Sequence, residues 1–222
     1  MYTLPLQVPK GHMFIQIEEE LLLLDTGAPS SFCSSSPLTL AGQRFELPNS
    51  YLGLTPDTLS SFVGVRTSGL LGADVLGAFD LIIDTPRSTI TLTTDKLTCA
   101  GHAVPLDSFM GIPIISVIIG STTYRMFFDT GAQISYFQDD SLTDFPPSGQ
   151  VIDFYPGVGQ FTTETHTVDL QVGECTFSLR CGRLPDLLGM TLMMAGTQGI
   201  LGNQLLHDRK VGYFPRRKTL FL

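Results

Sequence analysis

Short apolar runs separated by turn residues dominate this chain, and long amphipathic stretches are absent from its pattern. In the first half, residues 14–17 form one apolar run, and residues 21–24 form a second that ends at Asp25. Runs of this length, bounded by turn residues and rich in β-branched and aromatic side chains, are typical of strands. The pattern therefore predicts an all-β fold with a few short helices.

The second half repeats the pattern of the first. Residues 115–119 form an apolar run, and residues 126–128 form another that ends at Asp129. Later in each half an apolar pair precedes a glycine and a short run with helical spacing, at residues 70–72 and 200–202. Self-similarity of this kind indicates a duplicated unit.

The duplication predicts two lobes related by a pseudo-twofold axis, with a cleft between them. The apolar periodicity lapses over residues 94–104, which places the boundary there. We therefore expect an N-terminal lobe of residues 1–99 and a C-terminal lobe of residues 100–222, each a small β-barrel.

The candidate chemistry lies in two identical triplets, Asp25-Thr26-Gly27 and Asp129-Thr130-Gly131. A carboxylate at the end of an apolar strand costs free energy unless it is paired or hydrogen-bonded. Two such groups that meet across a twofold axis cannot both ionise easily and would share one proton. One would then act as a general base on water and the other as a general acid.

The remaining triplet positions predict supporting roles. The hydroxyls of Thr26 and Thr130 can hold the two loops together, while Gly27 and Gly131 permit close backbone approach and offer amides to the carboxylates. The alternative for a single triplet is an ordinary turn, as at residues 84–86, which lack the glycine. Two intact copies on matched apolar strands favour the catalytic interpretation.

Composition narrows the class of partner. The chain of 222 residues has 43% hydrophobic and 15% charged residues and a formal net charge of −8. An acidic chain without extended basic clusters is a poor candidate for binding nucleic acid or an anionic membrane. Its one basic cluster, at residues 216–218, is interpreted as a solvated turn between two strands.

The sequence contains no apolar segment of about 20 residues that would span a bilayer. A basic start followed by an apolar stretch is also absent from its N-terminus, so we expect no signal peptide and a cytoplasmic protein.

The four cysteines do not indicate a metal site. They form no CxxC pair, and the four histidines do not cluster with them, so we expect neither metal nor cofactor. Cys175 and Cys181 are spaced so that they could bridge two strands. The alternative is that all four cysteines are reduced thiols.

The sequence contains four motifs: the two triplets and the segments Leu70-Leu71-Gly72 and Ile200-Leu201-Gly202. Together they resemble the motifs of the pepsin and retropepsin superfamily of aspartic peptidases. The resemblance implies a β-rich, two-lobed fold, a shared-proton dyad of Asp25 and Asp129, and endopeptidase activity on extended peptides. It also implies that Leu71, Gly72, Leu201 and Gly202 lie beside the catalytic loops. With both aspartates in one chain, a monomer suffices.

Ala28 and Ala132 follow the two triplets, which is similar to the retropepsin pattern; pepsins usually have Ser or Thr there. A hydroxyl at this position can donate to the catalytic carboxylates and stabilise their charged form. Because alanine cannot, we expect the dyad to titrate higher than in pepsins and activity to peak at mildly acidic to near-neutral pH.

The two halves differ in length behind the triplets. Asp25 and Gly72 are 47 positions apart, whereas Asp129 and Gly202 are 73 apart, an excess of about one β-hairpin. The candidate hairpin spans residues 151–172. The resemblance implies that its tip is a flap over the substrate, with Tyr155, Gly157, Val158 and Gly159 as candidate substrate-binding residues. The alternative is a surface hairpin that never touches substrate.

Three functions remain open from the sequence. The first is an aspartic endopeptidase that uses water as its nucleophile. The second is a catalytically silent peptide- or protein-binding module on the same fold. The third is a processing enzyme activated by self-cleavage.

Overall fold

The computed structural model describes residues 1–138, 141–155, 159–185 and 189–222. Strands predominate in these ranges and the helices are short, so the all-β prediction is confirmed. No helix within the described ranges is long and apolar enough to cross a membrane.

The strands of residues 1–99 are β1 (Tyr2–Gln7), β2 (Phe14–Ile17), β3 (Glu20–Leu24), β4 (Phe32–Cys33), β5 (Leu38–Leu40), β6 (Gln43–Phe45), β7 (Gly69–Leu71), β8 (Asp80–Asp84) and β9 (Thr89–Thr93). Those of residues 100–222 are β10 (Ala103–Pro105), β11 (Asp107–Phe109), β12 (Ile112–Ile119), β13 (Thr122–Phe128), β14 (Ser135–Phe137), β15 (Pro147–Tyr155), β16 (Gly159–Val172), β17 (Cys175–Arg183), β18 (Gly199–Leu201), β19 (Lys210–Phe214) and β20 (Thr219–Phe221). The α-helices are α1 (Pro56–Val63), α2 (Ala73–Leu76) and α3 (Gly189–Ala195), and 3₁₀ turns lie at Pro9–Gly11, Asn203–Leu206 and Pro215–Arg217.

Two large sheets contain most of the described strands. One has the order β10-β20-β19-β8-β9-β1-β2-β3-β7-β4, and the other the order β11-β12-β13-β18-β14-β17-β16-β15. In the first sheet β3 and β7 are parallel neighbours, and in the second β13 and β18 are. Three strands of the second half join the sheet of the first half. β10 comes from the start of the second half, and β19 and β20 come from its end.

The main hydrophobic core is continuous between the two halves of the chain. Ile15 and Leu24 of the first half belong to the same buried cluster as Ile115 and Phe128 of the second. Burying such a side chain contributes about 1.5–3 kcal/mol, so this shared core favours a fixed arrangement of the halves. Each half also contains the buried residues of one smaller apolar cluster.

A buried ion pair fixes the C-terminal strands to the first half. Asp80, at the start of β8, is fully buried and accepts hydrogen bonds from Arg216 (2.9 Å), Arg217 (2.5 Å) and the amide of Leu97 (3.0 Å). The basic cluster does lie in a turn between two strands, as predicted. Its interpretation as simply solvated was wrong, because two of its guanidinium groups bind a buried carboxylate.

The four cysteines are unbonded thiols. Cys175 and Cys181 lie on the same strand, β17, so the alternative of a bridge between two strands is wrong. Six residues along one strand separate Cα atoms by about 20 Å, whereas a disulfide requires less than about 7 Å.

Candidate active site

The two triplets lie at equivalent points of the two sheets. Asp25 directly follows β3, and its amide donates to the carbonyl of Leu71 on β7 (3.0 Å). Asp129 directly follows β13, and its amide donates to the carbonyl of Leu201 on β18 (3.0 Å). The apolar-apolar-glycine segments therefore lie beside the triplet loops, as the sequence predicted.

Two glycines bring the loops close enough for their carboxyl groups to meet. A Cβ atom on Gly131 would lie 2.6 Å from the Cγ atom of Asp25, and one on Gly27 would overlap the carboxyl group of Asp129. Any larger residue at either position would displace the opposite carboxyl group. The structure thus brings both predicted aspartates into one site.

The two threonines join the loops through a reciprocal set of hydrogen bonds. The hydroxyl of Thr26 donates to the carbonyl of Phe128 (2.6 Å) and accepts from the amide of Thr130 (3.0 Å). The hydroxyl of Thr130 donates to the carbonyl of Leu24 (2.7 Å) and accepts from the amide of Thr26 (3.0 Å). Both side chains are buried, so these bonds fix the separation and orientation of the carboxyl groups.

Backbone amides hold one oxygen of each carboxyl group. Oδ1 of Asp25 accepts from the amides of Gly27 (3.0 Å) and Ala28 (2.9 Å). Oδ1 of Asp129 accepts from the amides of Gly131 (2.8 Å) and Ala132 (3.2 Å). The predicted supporting residues therefore surround the dyad, and Ala28 and Ala132 contribute their amides to it.

The surroundings of the dyad favour its protonated form. Burial, the charge of Asp129 and the hydrogen bond that protonated Asp25 donates to Asp129 raise the pKa of Asp25 well above its usual range. Burial also raises the pKa of Asp129, against the opposing effect of its hydrogen bonds. The two groups titrate together as a pair. The pair therefore retains one shared proton at a pH where isolated aspartates are ionised.

Comparison of the sequence with protein-family models gave no match, and comparison with curated proteins gave none either. What this site can do therefore follows from its own atoms. Two carboxyl groups that share a proton, held by amides in a cleft, can activate a water molecule and protonate a carbonyl oxygen.

Two serines that the sequence interpretation missed complete the matched loops. The hydroxyl of Ser31 accepts from the amide of Gly72 (2.7 Å), and that of Ser135 accepts from the amide of Gly202 (3.1 Å). Each serine stands six positions after its aspartate. The repeat is therefore longer than the triplet and its alanine, and this equal spacing was the available signal.

The extra hairpin predicted in the second half is present, and it crosses the cleft. β15 and β16 pair in antiparallel register down to Tyr155 opposite Gly159. The ring of Phe154 stacks on that of Phe62 in α1, with centroids 4.8 Å apart and an interplanar angle of 17°. The hairpin of one half thus packs against a helix of the other. Of the candidate flap residues, Gly157 and Val158 lie outside the described residues.

Tyr155 is the predicted flap residue that the structure places beside the dyad. It lines the same cleft as Asp25 and Asp129. Burial and then the charges of these two aspartates raise the pKa of Tyr155 to about 12. Its phenol therefore remains protonated and available as a hydrogen-bond donor. Whether it contacts substrate stays a prediction.

The cleft around the dyad is a cavity of about 390 Å³ with mostly apolar walls. Leu23 and Leu54 contribute from the first half, and Phe109 and Phe127 contribute from the second. A cavity with mostly apolar walls is typical of a ligand-binding site.

A third carboxylate also faces the cleft, and the sequence interpretation missed it. Asp153 accepts a short hydrogen bond from the phenol of Tyr136 and another from the amide of Phe154 (2.8 Å). The signal was present in the predicted hairpin strand, where an acid stands between the apolar residues Val151 and Tyr155 on the same face.

Proposed function

We propose that this protein is a single-chain aspartic endopeptidase, with two lobes of the pepsin and retropepsin type. The observation that carries the proposal is the dyad: Asp25 and Asp129 lie close together, hydrogen-bond to each other and are held by equivalent amides. The threonine hydrogen bonds between the loops support it, because an ordinary pair of turns does not need them.

The proposed reaction is hydrolysis of a peptide bond by water. The ionised carboxylate takes a proton from a water molecule, and the oxygen of that water attacks the peptide carbonyl carbon. The protonated carboxyl group donates its proton to the carbonyl oxygen, which gives a neutral tetrahedral diol. The carboxyl group that gained the water proton then passes it to the peptide nitrogen, and the other carboxylate takes a proton from a diol hydroxyl as the C–N bond breaks. The products are a carboxylic acid and an amine, and the dyad again holds one proton.

The hairpin of β15 and β16 is proposed as the flap over the substrate. Its contact with α1 through Phe154 and Phe62 and the position of Tyr155 in the cleft support this role. A cover of this kind excludes water and strengthens the electrostatic interactions beneath it. The substrate is proposed to be an extended peptide or protein segment, and a monomer carries the whole site.

The raised pKa values of the dyad support an activity maximum at mildly acidic to near-neutral pH. Activity rises as the first carboxyl group of the pair ionises, and it falls when the second also loses its proton. A raised second pKa extends activity towards neutral pH. Such an optimum suits the cytoplasmic location that we propose.

Cleavage of a diverse peptide library tests the proposal. The wild type is compared with Asp25→Asn and Asp129→Asn, and with Asp169→Asn as a control that removes an exposed carboxylate of β16. We expect both dyad variants to lose at least about 10³-fold in rate, with the control unchanged. Activity that survives in either dyad variant would reject the proposal, and a wild type that binds peptides without cleaving them would favour the silent binding module.

A further inference from the structure

The inner face of the hairpin strand β15 carries an acid among apolar groups. Val151 and Tyr155 pack against the apolar cluster of the second half, and Asp153 stands between them in the alternation of the strand. Asp153 pairs across the hairpin with Phe161, and both line the cleft that contains the dyad. The side chain therefore faces the position where a ligand would lie.

The carboxylate of Asp153 has a fixed orientation. Tyr136, which is 2% exposed, donates its phenol hydrogen to Oδ2, and the amide of Phe154 donates to Oδ1. Burial, together with the charge of Asp153, raises the pKa of Tyr136, so the phenol stays a donor. Each carboxylate oxygen has a second lone pair, so the group can accept a further hydrogen bond from a ligand.

No lysine or arginine of the described chain is paired with Asp153, and burial favours the neutral form of the nearby His12 by lowering its pKa, against the opposing charge of Asp153. The ion pairs between described residues do not include it, and the described lining of the cleft contains no lysine, arginine or histidine. Arg180 is near Tyr136, but its guanidinium donates to the carbonyls of Ser148 (2.8 Å) and Gln150 (3.1 Å) and to the hydroxyl of Thr165 (2.8 Å). A carboxylate in an apolar cleft without a cation is electrostatically unfavourable.

The carboxylate is also close to the reacting centre. Its charge contributes to the raised pKa of Asp129, and the two side chains line one cavity of about 390 Å³. A ligand group that reaches Asp153 therefore lies in the same cavity as the dyad.

We propose that Asp153 selects peptides with a lysine or arginine side chain next to the scissile bond. The inference rests on the proposed peptidase function and names the substrate class of the same site. The cationic end group of the substrate donates to Asp153, while its aliphatic stem packs against the apolar wall that includes Phe161. The ion pair then supplies the cation that the described cleft lacks.

Peptide binding to the turnover-deficient chain tests this recognition without relying on catalysis. Asp25→Asn is compared with the double variant Asp25→Asn/Asp153→Asn, using two peptides that differ only by lysine or norleucine at the selected position. Norleucine keeps the aliphatic stem and removes the charge. We expect the lysine peptide to bind at least about tenfold more tightly to Asp25→Asn, and this preference to disappear in the double variant. Asp25→Asn/Asp169→Asn, which loses an exposed carboxylate of the same strand pair, should keep the preference.

Turnover by the otherwise wild-type chain gives the second measurement. We expect Asp153→Asn to lower kcat/KM for the lysine peptide by about 10- to 100-fold and for the norleucine peptide by less than about threefold. An equal loss on both peptides would overturn the proposal, because Asp153 would then only position the hairpin. Equal binding of both peptides to Asp25→Asn, or no binding of either, would overturn it too. A lysine preference in binding without any cleavage by the wild type would leave the recognition intact and reject the peptidase function.

Discussion

Asp80 is a fully buried carboxyl group, whereas Asp25 and Asp129 are partly buried in a cleft, and the partners of the two kinds of carboxyl group differ in charge. Asp80 is fully buried and binds two guanidinium groups, from Arg216 and Arg217. The dyad has no cationic partner among the described ion pairs, and its hydrogen bonds come from neutral amides and from the pair itself.

Under the proposed peptidase function, this difference separates a structural carboxylate from a reactive one. Two guanidinium groups bind Asp80, so this group serves to hold β8 to the turn between β19 and β20. At the dyad the hydrogen-bond donors are neutral, and the like charge of the partner aspartate disfavours ionisation of both carboxyl groups. The pair can therefore both accept and donate a proton, which acid–base chemistry requires. Burial of a carboxylate therefore does not by itself indicate function, whereas the charge of its partners does.

The largest expected effect is on activity at the dyad, with no loss of stability. Asp25→Asn should lower kcat/KM by at least about 10³-fold. The pKa of Asp25 is higher in the folded protein than in the unfolded chain. Its carboxyl group therefore stabilises the fold least at a pH above the folded pKa, where it must ionise in the cleft. Asparagine removes the charge, so the variant should melt at least as high as the wild type at pH 8, with a smaller difference at pH 4. Calorimetry at both pH values checks this, and a lower melting temperature at pH 8 would contradict it.

At Asp80 we expect a loss of stability with activity retained. Asp80→Asn leaves two arginines without their carboxylate, and breaking a buried ion pair costs about 3–5 kcal/mol. The side chains of Arg216 and Arg217 are 33% exposed, which places the expected loss near the lower end, about 3 kcal/mol. For a chain of this size the melting temperature should fall by roughly 6–12 °C.

The folded fraction of Asp80→Asn should keep its kcat/KM below the melting transition. Asp169→Asn serves as the control for loss of one exposed negative charge. If Asp80→Asn instead abolished activity while leaving the melting temperature unchanged, the distinction between the two kinds of carboxylate would fail.

A moderate effect is expected when the hairpin loses its contact with α1. Phe154→Ala removes the stack on Phe62, which should admit water to the dyad and lower turnover by about tenfold. Since burial is the largest cause of the raised pKa of Asp25, the alkaline limb of the pH–rate profile should also move to lower pH. Ile152→Ala, on the same strand and 70% exposed, is the matched control. An unchanged alkaline limb with unchanged turnover would show that the hairpin does not cover the site.

The smallest effect is expected from a hydroxyl placed beside the dyad. Ala132→Ser adds a donor that can stabilise the ionised carboxylate of Asp129, so the optimum of the pH–rate profile should move to lower pH by less than about one unit. Ala28→Ser should act in the same direction at Asp25. A shift to higher pH in either variant would contradict this account of why the dyad titrates high.

The sequence indicated the local features of the fold and left the long-range pairs hidden. Strands ending at Asp25 and Asp129 were visible, because apolar periodicity and a repeated triplet are local signals. The same repeat extended to Ser31 and Ser135, where the signal was available and missed. The stack of Phe154 on Phe62 joins positions far apart in the chain, and no pattern within either segment predicts it.

The two remaining misses have related physical causes. The ion pair of Asp80 with Arg216 spans 136 positions, so the arginines looked like an exposed turn. Asp153 occupies a position where the alternation of strand β15 predicts an apolar residue. Such a local departure from the apolar pattern is expected at functional positions. The hydrogen bond of Asp153 with Tyr136 joins residues 17 positions apart, and sequence alone does not show which acceptor a phenol binds.

The shared proton of Asp25 and Asp129 is tested most directly by a nuclear magnetic resonance titration with ¹³C-labelled aspartate. We predict that the two carboxyl carbons titrate together in the wild type, with one step well above the usual range of aspartate. In Asp129→Asn, the pKa of Asp25 should fall towards that range, since the neighbouring charge is gone. Two independent titrations in the usual range, with that of Asp25 unchanged in Asp129→Asn, would contradict the account.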